Sequence, residues 1–323
     1  MKTLLTVFTP AYNRAHTIER TYESLCRQTC KDFEWLVVDD GSSDGTRELI
    51  LEKMQDKTTP IVVTVSNDKT GECIKGFSPF GFRIIYIYQE NQGMHGAHNT
   101  AYRNISTELN TCIDSDDWMP DDAVELIVNK WKKDGSPEYS GIIGLDMTVN
   151  SQLIGTRIPE GVFATSQRDF YEKMGGRGDK KLVYRTDLMK SCPEYPIFEN
   201  EKYVSLDYKC NLLDEEYELL VLNKVLVIVD YQLDGSSFSM WKQYWRNPKG
   251  FAFYRKHDMV LTHSTKRRWM NNIHYVSHSI RGKNWQFVKE SPLKFYTIIS
   301  IPMGIALFLV NFYKVKFNKR FKI

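Results

Sequence analysis

The sequence has no Cys-x-x-Cys pair and no histidine-rich ligand spacing around its six cysteines, Cys26, Cys30, Cys73, Cys112, Cys192 and Cys210. That favours structural thiols in a reducing, cytosolic compartment. A signal peptide is not expected either. The apolar stretch after Lys2 runs only from Leu4 to Phe8 before Pro10, Asn13 and Arg14, and reads as a first strand. Acidic residues become scarce toward the C-terminus. From Lys242 to Ile323 there are 17 Lys and Arg against Asp258 and Glu290 alone, a net of +15, while residues 1–241 carry 26 basic and 38 acidic groups, a net of −12. The overall charge of +3 therefore conceals an acidic body with a basic tail. Such asymmetry speaks to partners: an anionic membrane, a polyphosphate ligand or a nucleic acid.

What is present, over the first 130 residues, is an alternation of strand and helix. Leu4–Phe8 and Glu34–Val38 are apolar runs, each followed by a polar loop and then a helical pattern, from Thr17 to about Gln28 and from Thr46 to about Met54. Arg83–Tyr88 leads through Asn91-Gln92-Gly93 into a helix over His95–Arg103, and Leu109–Ile113 is a fourth strand. Strand, loop and helix in that order imply an α/β fold with a mostly parallel sheet and right-handed crossovers. The stretch between Lys57 and Phe82 reads as an inserted hairpin or loop on the sheet edge. Each polar cluster, Thr9–Asn13, Asp39–Asp44, Glu90–Gly93 and Asp114–Asp117, falls just after a strand, where open α/β sheets bind ligands.

In Ile113-Asp-Ser-Asp-Asp-Trp118 an apolar run ends in three carboxylates within four residues. Like charges so close resist ionising unless a cation neutralises them. Oxygen-only ligands at a strand end suit a hard ion, Mg²⁺ or Mn²⁺, shared with substrate phosphates. The same residues also suit an ordinary loop and N-cap ahead of Pro120 and a helix over Asp121–Lys130.

Taken in order, Thr9-Pro-Ala-Tyr-Asn13, Val37-Val-Asp-Asp-Gly-Ser-Ser-Asp-Gly-Thr46, Asn91-Gln-Gly-Met-His-Gly-Ala-His-Asn99 and Asp114-Ser-Asp-Asp-Trp118 resemble an inverting glycosyltransferase of family 2, of the bacterial surface-polysaccharide type. A weaker similarity continues through Gly178-Asp179, Tyr184-Arg-Thr186 and Glu199–Tyr203 to Tyr231-Gln-Leu-Asp-Gly-Ser-Ser237. The resemblance implies a GT-A nucleotide-sugar fold over residues 1–235, followed by a basic, aromatic region over 236–323. It also implies site roles. Thr9, Pro10, Ala11, Tyr12 and Asn13 would form the nucleobase pocket, with Tyr12 stacking on the ring. Asp39 and Asp40 would bind base and ribose. Asn91, Gly93, His98 and Asn99 would line the ribose and sugar side. Asp114, Ser115 and Asp116 form the Asp-x-Asp element, with Asp116 and Asp114 as ligands of Mg²⁺ or Mn²⁺ and Asp117 as a competing ligand.

A base is needed for the acceptor hydroxyl. The resemblance points to Asp207, then Glu201, then Glu199, although the family's adjacent Glu-Asp pair is missing here. Ser205 as N-cap would place Asp207 near the positive end of a helix, where a carboxylate stays ionised. Gly175–Lys181 is a basic, glycine-rich loop that could fold over a diphosphate. Gln243-Tyr-Trp-Arg246 holds the ingredients of the processive synthases' Gln-x-x-Arg-Trp motif in the wrong order, so single-sugar addition is expected.

Phe295–Tyr313 is a run of 19 residues without a charged side chain, interrupted by Pro302 and Gly304 and flanked by basic residues on both sides. It is close to the roughly 20 residues of a membrane span. Basic flanks at both ends select no single crossing. An in-plane or re-entrant helix on the cytosolic face of an anionic membrane is the expectation, with a true span and a buried helix as alternatives. Trp241, Trp245, Phe251, Phe253, Tyr254, Trp269 and Tyr275 interleave with Arg and Lys. Beside an apolar tail this suggests a membrane interface, and nucleic acid is not expected as a partner. The expected reaction moves one sugar from a UDP-linked or other nucleoside-diphosphate donor to a lipid-linked or surface-glycan acceptor. A non-catalytic nucleotide-sugar-binding subunit is one alternative. A sugar-phosphate nucleotidyltransferase is the other, disfavoured because Thr9–Arg14 contains no glycine. A homo-oligomer is left open.

Overall fold

A computed structural model describes residues 3–231 and 240–317. In chain order its elements are β1 (Leu5–Ala11), α1 (Ile18–Cys26), β2 (Phe33–Asp39), α2 (Thr46–Glu52), β3 (Ile61–Thr64), β4 (Thr70–Phe77), β5 (Arg83–Tyr88), α3 (Met94–Asn104), β6 (Leu109–Cys112) and α4 (Ala123–Asp134). They continue with β7 (Tyr139–Thr148), β8 (Ala164–Thr165), α5 (Gln167–Glu172), β9 (Lys180–Arg185), α6 (Thr186–Ser191), α7 (Asp207–Leu213) and β10 (Glu218–Val229). The last described helices are α8 (Met240–Arg246), α9 (Pro248–Leu261), α10 (Thr265–Arg281), α11 (Phe287–Glu290) and α12 (Lys294–Phe317).

The chain divides into two compact units, Met1–Glu194 with Glu216–Tyr231, and Tyr195–Glu215 with Gln232–Ile323. Residues 195–215, expected in the first domain, thus belong with the C-terminal region. The expected boundary at 235/236 lies outside the described residues.

The first unit is built on one sheet of order β3-β4-β5-β2-β1-β6-β9-β7-β10-β8. Its centre, β5-β2-β1-β6, is parallel throughout, as the alternating pattern implies. β2 is buried along its whole length, which is why Phe-Glu-Trp-Leu-Val-Val-Asp reads as a nearly continuous apolar run. The insertion between α2 and β5 forms the hairpin β3–β4, on the sheet edge. Beyond β6 the sheet becomes mixed, because β9 runs antiparallel to both β6 and β7. The parallel character is therefore concentrated in the half whose strands are joined by helices.

Side chains alternate across β1. Leu5 and Val7 join a core with Ile18 and Leu25 of α1, Trp35 of β2 and Val124, Ile127 and Trp131 of α4. Phe8 instead meets His98 and Tyr102 of α3 edge-on, at 5.0 and 5.5 Å between ring centres. This period of two places α3 on one face of the sheet and α1 and α4 on the other.

The second unit is helical among its described residues. α9 and α12 both pack on α10. Its centre is polar: buried Asp258 accepts from Arg267 Nε (2.9 Å), Asn271 Nδ2 (2.7 Å) and Asn211 Nδ2 (3.1 Å). Phe251, Tyr254 and Tyr275, which the sequence suggested for a membrane interface, are buried in this unit's interior.

Candidate active site

Three loops at the carboxyl edge of the parallel strands are tied to one another. Asp40 is buried, and its Oδ1 accepts from Gln89 Nε2 (2.6 Å) and the Gln92 backbone N–H (2.8 Å). Its Oδ2 accepts from the Gly93 N–H (2.8 Å). Gly93, at φ +84, turns the chain into α3 in a conformation that a side chain would strain. Asp39 is buried too, accepting from Tyr86 OH (2.6 Å) and the Ser42 N–H (2.8 Å). Gly41 sits so near the next loop that a Cβ there would lie 2.9 Å from Asn91 N. The two aspartates expected at base and ribose thus also hold the loops in register.

The β1 loop joins the same assembly. Asn13, at φ +54, donates its N–H to Ser42 Oγ (2.9 Å) and accepts from the Ser43 N–H (2.8 Å). Tyr12 is exposed at the strand end, free to stack on a flat ligand. Thr9 is buried, its Oγ1 accepting from Trp35 Nε1 (3.0 Å), and so lies beneath the surface loop. Ala11 is buried and Pro10 half-buried. His98 and Asn99 are enclosed within α3's sheet-facing side, His98 within 3.3 Å of Tyr102 OH and Asn99 donating to Ser66 Oγ (3.2 Å). Asn91 is half-buried on the loop between β5 and α3.

At the end of β6, carboxylate oxygens of Asp114, Asp116 and Asp117 all lie within 4.8 Å of one another. Asp114 is exposed, Asp116 half-buried and Asp117 buried, with Ser115 buried between them. The loop that carries the cluster is anchored by its neighbours. Arg20 donates to the Asp116 carbonyl, pairs with Asp230 (2.8 Å) and lies 4.3 Å over the Trp118 ring. Trp118 and Ile228 exchange backbone hydrogen bonds, and Asp117 Oδ1 accepts from the Asp230 N–H (3.0 Å). Burial, reinforced by the Asp114 charge, pushes the Asp117 carboxyl up to about 8 and raises Asp116 as well. A divalent cation would relieve this repulsion, and an all-carboxylate set at this spacing fits Mg²⁺ or Mn²⁺.

Two nearby charged groups join this edge: Asp146, which sequence reasoning missed, and Lys181, which it named only as the end of the basic Gly175–Lys181 loop. Asp146, at the end of β7, is buried and pushed up to about 6 by burial, with Lys181 opposing. Lys181, at the start of β9, would be pulled down by burial, but Asp146, Cys112, Asp114 and Asp117 push it up. The signal was present: Ile142-Ile-Gly-Leu-Asp146 is another apolar run ending in a carboxylate. The neighbouring Lys180 does not face a ligand. Its Nζ donates to the carbonyls of Ile154, Arg177 and Asp179, closing the glycine-rich loop upon itself.

The base candidates lie in the second unit. Asp207 is exposed at the first position of α7, with Leu206 rather than Ser205 as N-cap. Ser205 Oγ stands 3.4 Å from its Oδ2. Glu201 is buried, and its two oxygens accept from the Lys249 (3.0 Å) and Gly250 (2.9 Å) N–H groups at the start of α9. Glu199 is exposed.

Comparison with known proteins agrees with this geometry. Residues 6–65 and 61–143 match the family model described as "Glycosyl transferase family 2". The chain is 35% identical over 126 residues to Glycosyltransferase GlyA of Streptococcus pneumoniae serotype 4, covering 39% of this chain and 15% of that protein. It is 31% identical over 131 residues to the chondroitin synthase of Escherichia coli, covering 41% and 16%. The matched part is thus about one-sixth of the length of these two relatives. A third relative, the Escherichia coli UDP-Glc:alpha-D-GlcNAc-diphosphoundecaprenol beta-1,3-glucosyltransferase WfgD, is 26% identical over 239 residues, covering 73% and 79%. Among solved structures, S. aureus TarS 1-349 in complex with UDP-GlcNAc superposes with a TM-score of 0.56 at 16% identity, covering 98% and 91%. The mannosyltransferase PcManGT from Pyrobaculum calidifontis, in complex with GDP-Man and Mn²⁺, gives 0.54 at 15%, covering 97% and 88%. These likenesses establish the GT-A fold.

Proposed function

We propose that the chain, whose residues 6–65 and 61–143 match the model of glycosyl transferase family 2, acts as a member of that family and transfers one sugar from a UDP-sugar to a lipid-linked acceptor, with inversion, at the cytosolic membrane surface. The observation that carries the reading is the Asp114, Asp116 and Asp117 cluster at a strand end beside the tied loops of β1, β2 and β5. WfgD, named for a UDP-Glc donor and a diphosphoundecaprenol-linked acceptor, and TarS with UDP-GlcNAc support the donor and acceptor classes.

In the proposed reaction the acceptor hydroxyl oxygen bonds to the anomeric carbon as the bond from that carbon to the β-phosphate oxygen breaks. The electron pair leaves with UDP, and the hydroxyl proton passes to a carboxylate. Asp207 is the better base, because Glu201 has both oxygens committed to the start of α9. Asp114 and Asp116 would hold Mg²⁺ or Mn²⁺, which when bound stabilises charge growing on the diphosphate. Tyr12, with Asp39 and Asp40, would hold the nucleoside.

Membrane association rests on α12. Thr297, Ser300, Gly304, Asn311 and Val315 are its buried positions, whereas Phe295 (72% exposed), Leu309, Tyr313 (65%) and Phe317 face outward. Its best window has a mean hydropathy of 1.9. At about 1.5 Å per residue it is long enough to span. Yet Thr297 Oγ1 donates to Asn272 Oδ1 (2.8 Å) of α10, a helix that carries Lys266, Arg267, Arg268 and Arg281. A helix docked on so charged a partner is better placed in the interface, its apolar face in lipid, than across the bilayer.

The test is transfer of radiolabelled sugar from UDP-glucose or UDP-GlcNAc to a polyprenyl-diphosphate-sugar acceptor in vesicles. The unmodified chain should form a lipid-linked product, and Asp207→Asn should not. Full transfer by both Asp207→Asn and Glu201→Gln would refute the base assignment.

A further inference from the structure

The sheet edge that carries the aspartate triad presents two further charged groups without a role in the proposed reaction. Because β6 and β7 both run antiparallel to β9, they point the same way and end on the edge where β9 begins. Asp146 stands near the end of β7 and Lys181 near the start of β9, with Gly144 the register partner of Lys181. Asp146 is only 5% exposed, and its enclosed Oδ1 accepts no hydrogen bond. A buried carboxylate oxygen without a donor is destabilising, unless something outside the chain supplies the donor. Lys181 lies in the field of Asp146, Asp114 and Asp117, yet among the described residues its ammonium forms no direct ion pair with them.

A metal ion does not account for Asp146. Oxygens sharing one Mg²⁺ or Mn²⁺ sit about 2.1 Å from it, hence within roughly 4.2 Å of each other. The carboxylates whose oxygens approach this, all within 4.8 Å of one another, are Asp114, Asp116 and Asp117, without Asp146. A phosphate does not account for it either, since a carboxylate repels one. A sugar ring does. Each hydroxyl can donate to a carboxylate or accept from an ammonium, and neighbouring hydroxyls can do both at once.

We propose that Asp146 and Lys181 clamp the donor's sugar ring, Asp146 Oδ1 accepting from one ring hydroxyl while Lys181 Nζ donates to an adjacent one. The clamp rests on the nucleotide-sugar reading and adds the feature that selects the sugar. An epimer whose hydroxyl turns away from Asp146 leaves the buried carboxylate unpaired, one turned away from Lys181 leaves the ammonium without its acceptor, and unpaired polar groups are what make such sites discriminating.

Calorimetric titration of the full chain in Mn²⁺ with UDP, UDP-glucose, UDP-galactose and UDP-GlcNAc tests this. The unmodified chain should distinguish the sugars. Asp146→Asn, which keeps the side chain's shape, should hold UDP affinity within about twofold while weakening the preferred UDP-sugar at least about tenfold and narrowing the differences among sugars. Lys181→Met, at a half-exposed position, should do the same, and retained UDP binding certifies the fold of both variants. Equal weakening of UDP and UDP-sugars would overturn the clamp in favour of a phosphate or metal role. Unchanged binding of all four would overturn it outright. If the unmodified chain bound none of the four, the nucleotide-sugar reading would fall first, and the clamp with it.

Discussion

In the sheet unit, β2 is buried along all of its residues, and the polar groups collect at strand ends. In α12 of the helical unit the buried positions are Thr297, Ser300, Gly304, Asn311 and Val315, while Phe295, Leu309 and Tyr313 face out. One arrangement is that of a protein folded against water. The other inverts it, as expected for a helix whose outer surroundings are apolar. Charge divides the same way, −12 over residues 1–241 and +15 from Lys242 onward. The comparison teaches that the polar strand ends and the outward-facing apolar side chains belong to different parts of one chain, each with its own burial pattern.

The most damaging substitution should be Asp116→Asn. Removing a ligand from the triad is expected to lower transfer by about a hundredfold or more while leaving thermal unfolding nearly unchanged, checked by initial rates beside a melting curve. Next is Trp35→Ala, which empties the core against Tyr22 and Thr9 and should destabilise by about 3–5 kcal/mol in denaturant titrations. Leu309→Ala sharpens the contrast. An equally apolar truncation on α12 should cost little stability in solution yet reduce sedimentation with anionic vesicles by roughly tenfold, given about 1.5–3 kcal/mol for burying a leucine. A stability loss as large as that of Trp35→Ala would mean the outer face of α12 is core after all.

The last prediction concerns pH. Asp117 is held at about 8 and Asp116 above its ordinary value, so protons favour the folded, metal-free state. Such raised carboxyls make the metal-free fold lose stability as pH climbs from the unfolded carboxylate range toward 8. A cation competes with the same protons. Mn²⁺ affinity should therefore rise by up to about tenfold per pH unit below 8 and level off above it, in titrations from pH 6 to 9. A flat profile would remove Asp117 from the metal's surroundings.

The parallel half was legible because each of its strands is a contiguous apolar run ended by a polar loop. Arg83–Tyr88 was read to the residue, and the stretch between Lys57 and Phe82, expected as an edge hairpin or loop, is the hairpin β3–β4. The mixed half was not, because β9 pairs with β6 and β7 across more than 30 residues of intervening chain and no local period encodes that choice. The candidate site divides likewise. Asp114 and Asp116 announce themselves as a cluster, whereas Asp146 and Lys181 are brought to the same edge only by the antiparallel turn of β9. Glu201 shows the converse. Its sequence context offered a base, but folding commits both its oxygens to the backbone of α9.

The most direct test of the central claim is calorimetric titration of UDP into the purified chain, with and without Mn²⁺, beside Asp116→Asn. The account predicts binding that Mn²⁺ strengthens in the unmodified chain and that the substitution weakens. UDP binding indifferent to both the metal and Asp116, or no binding of any nucleotide, would contradict it.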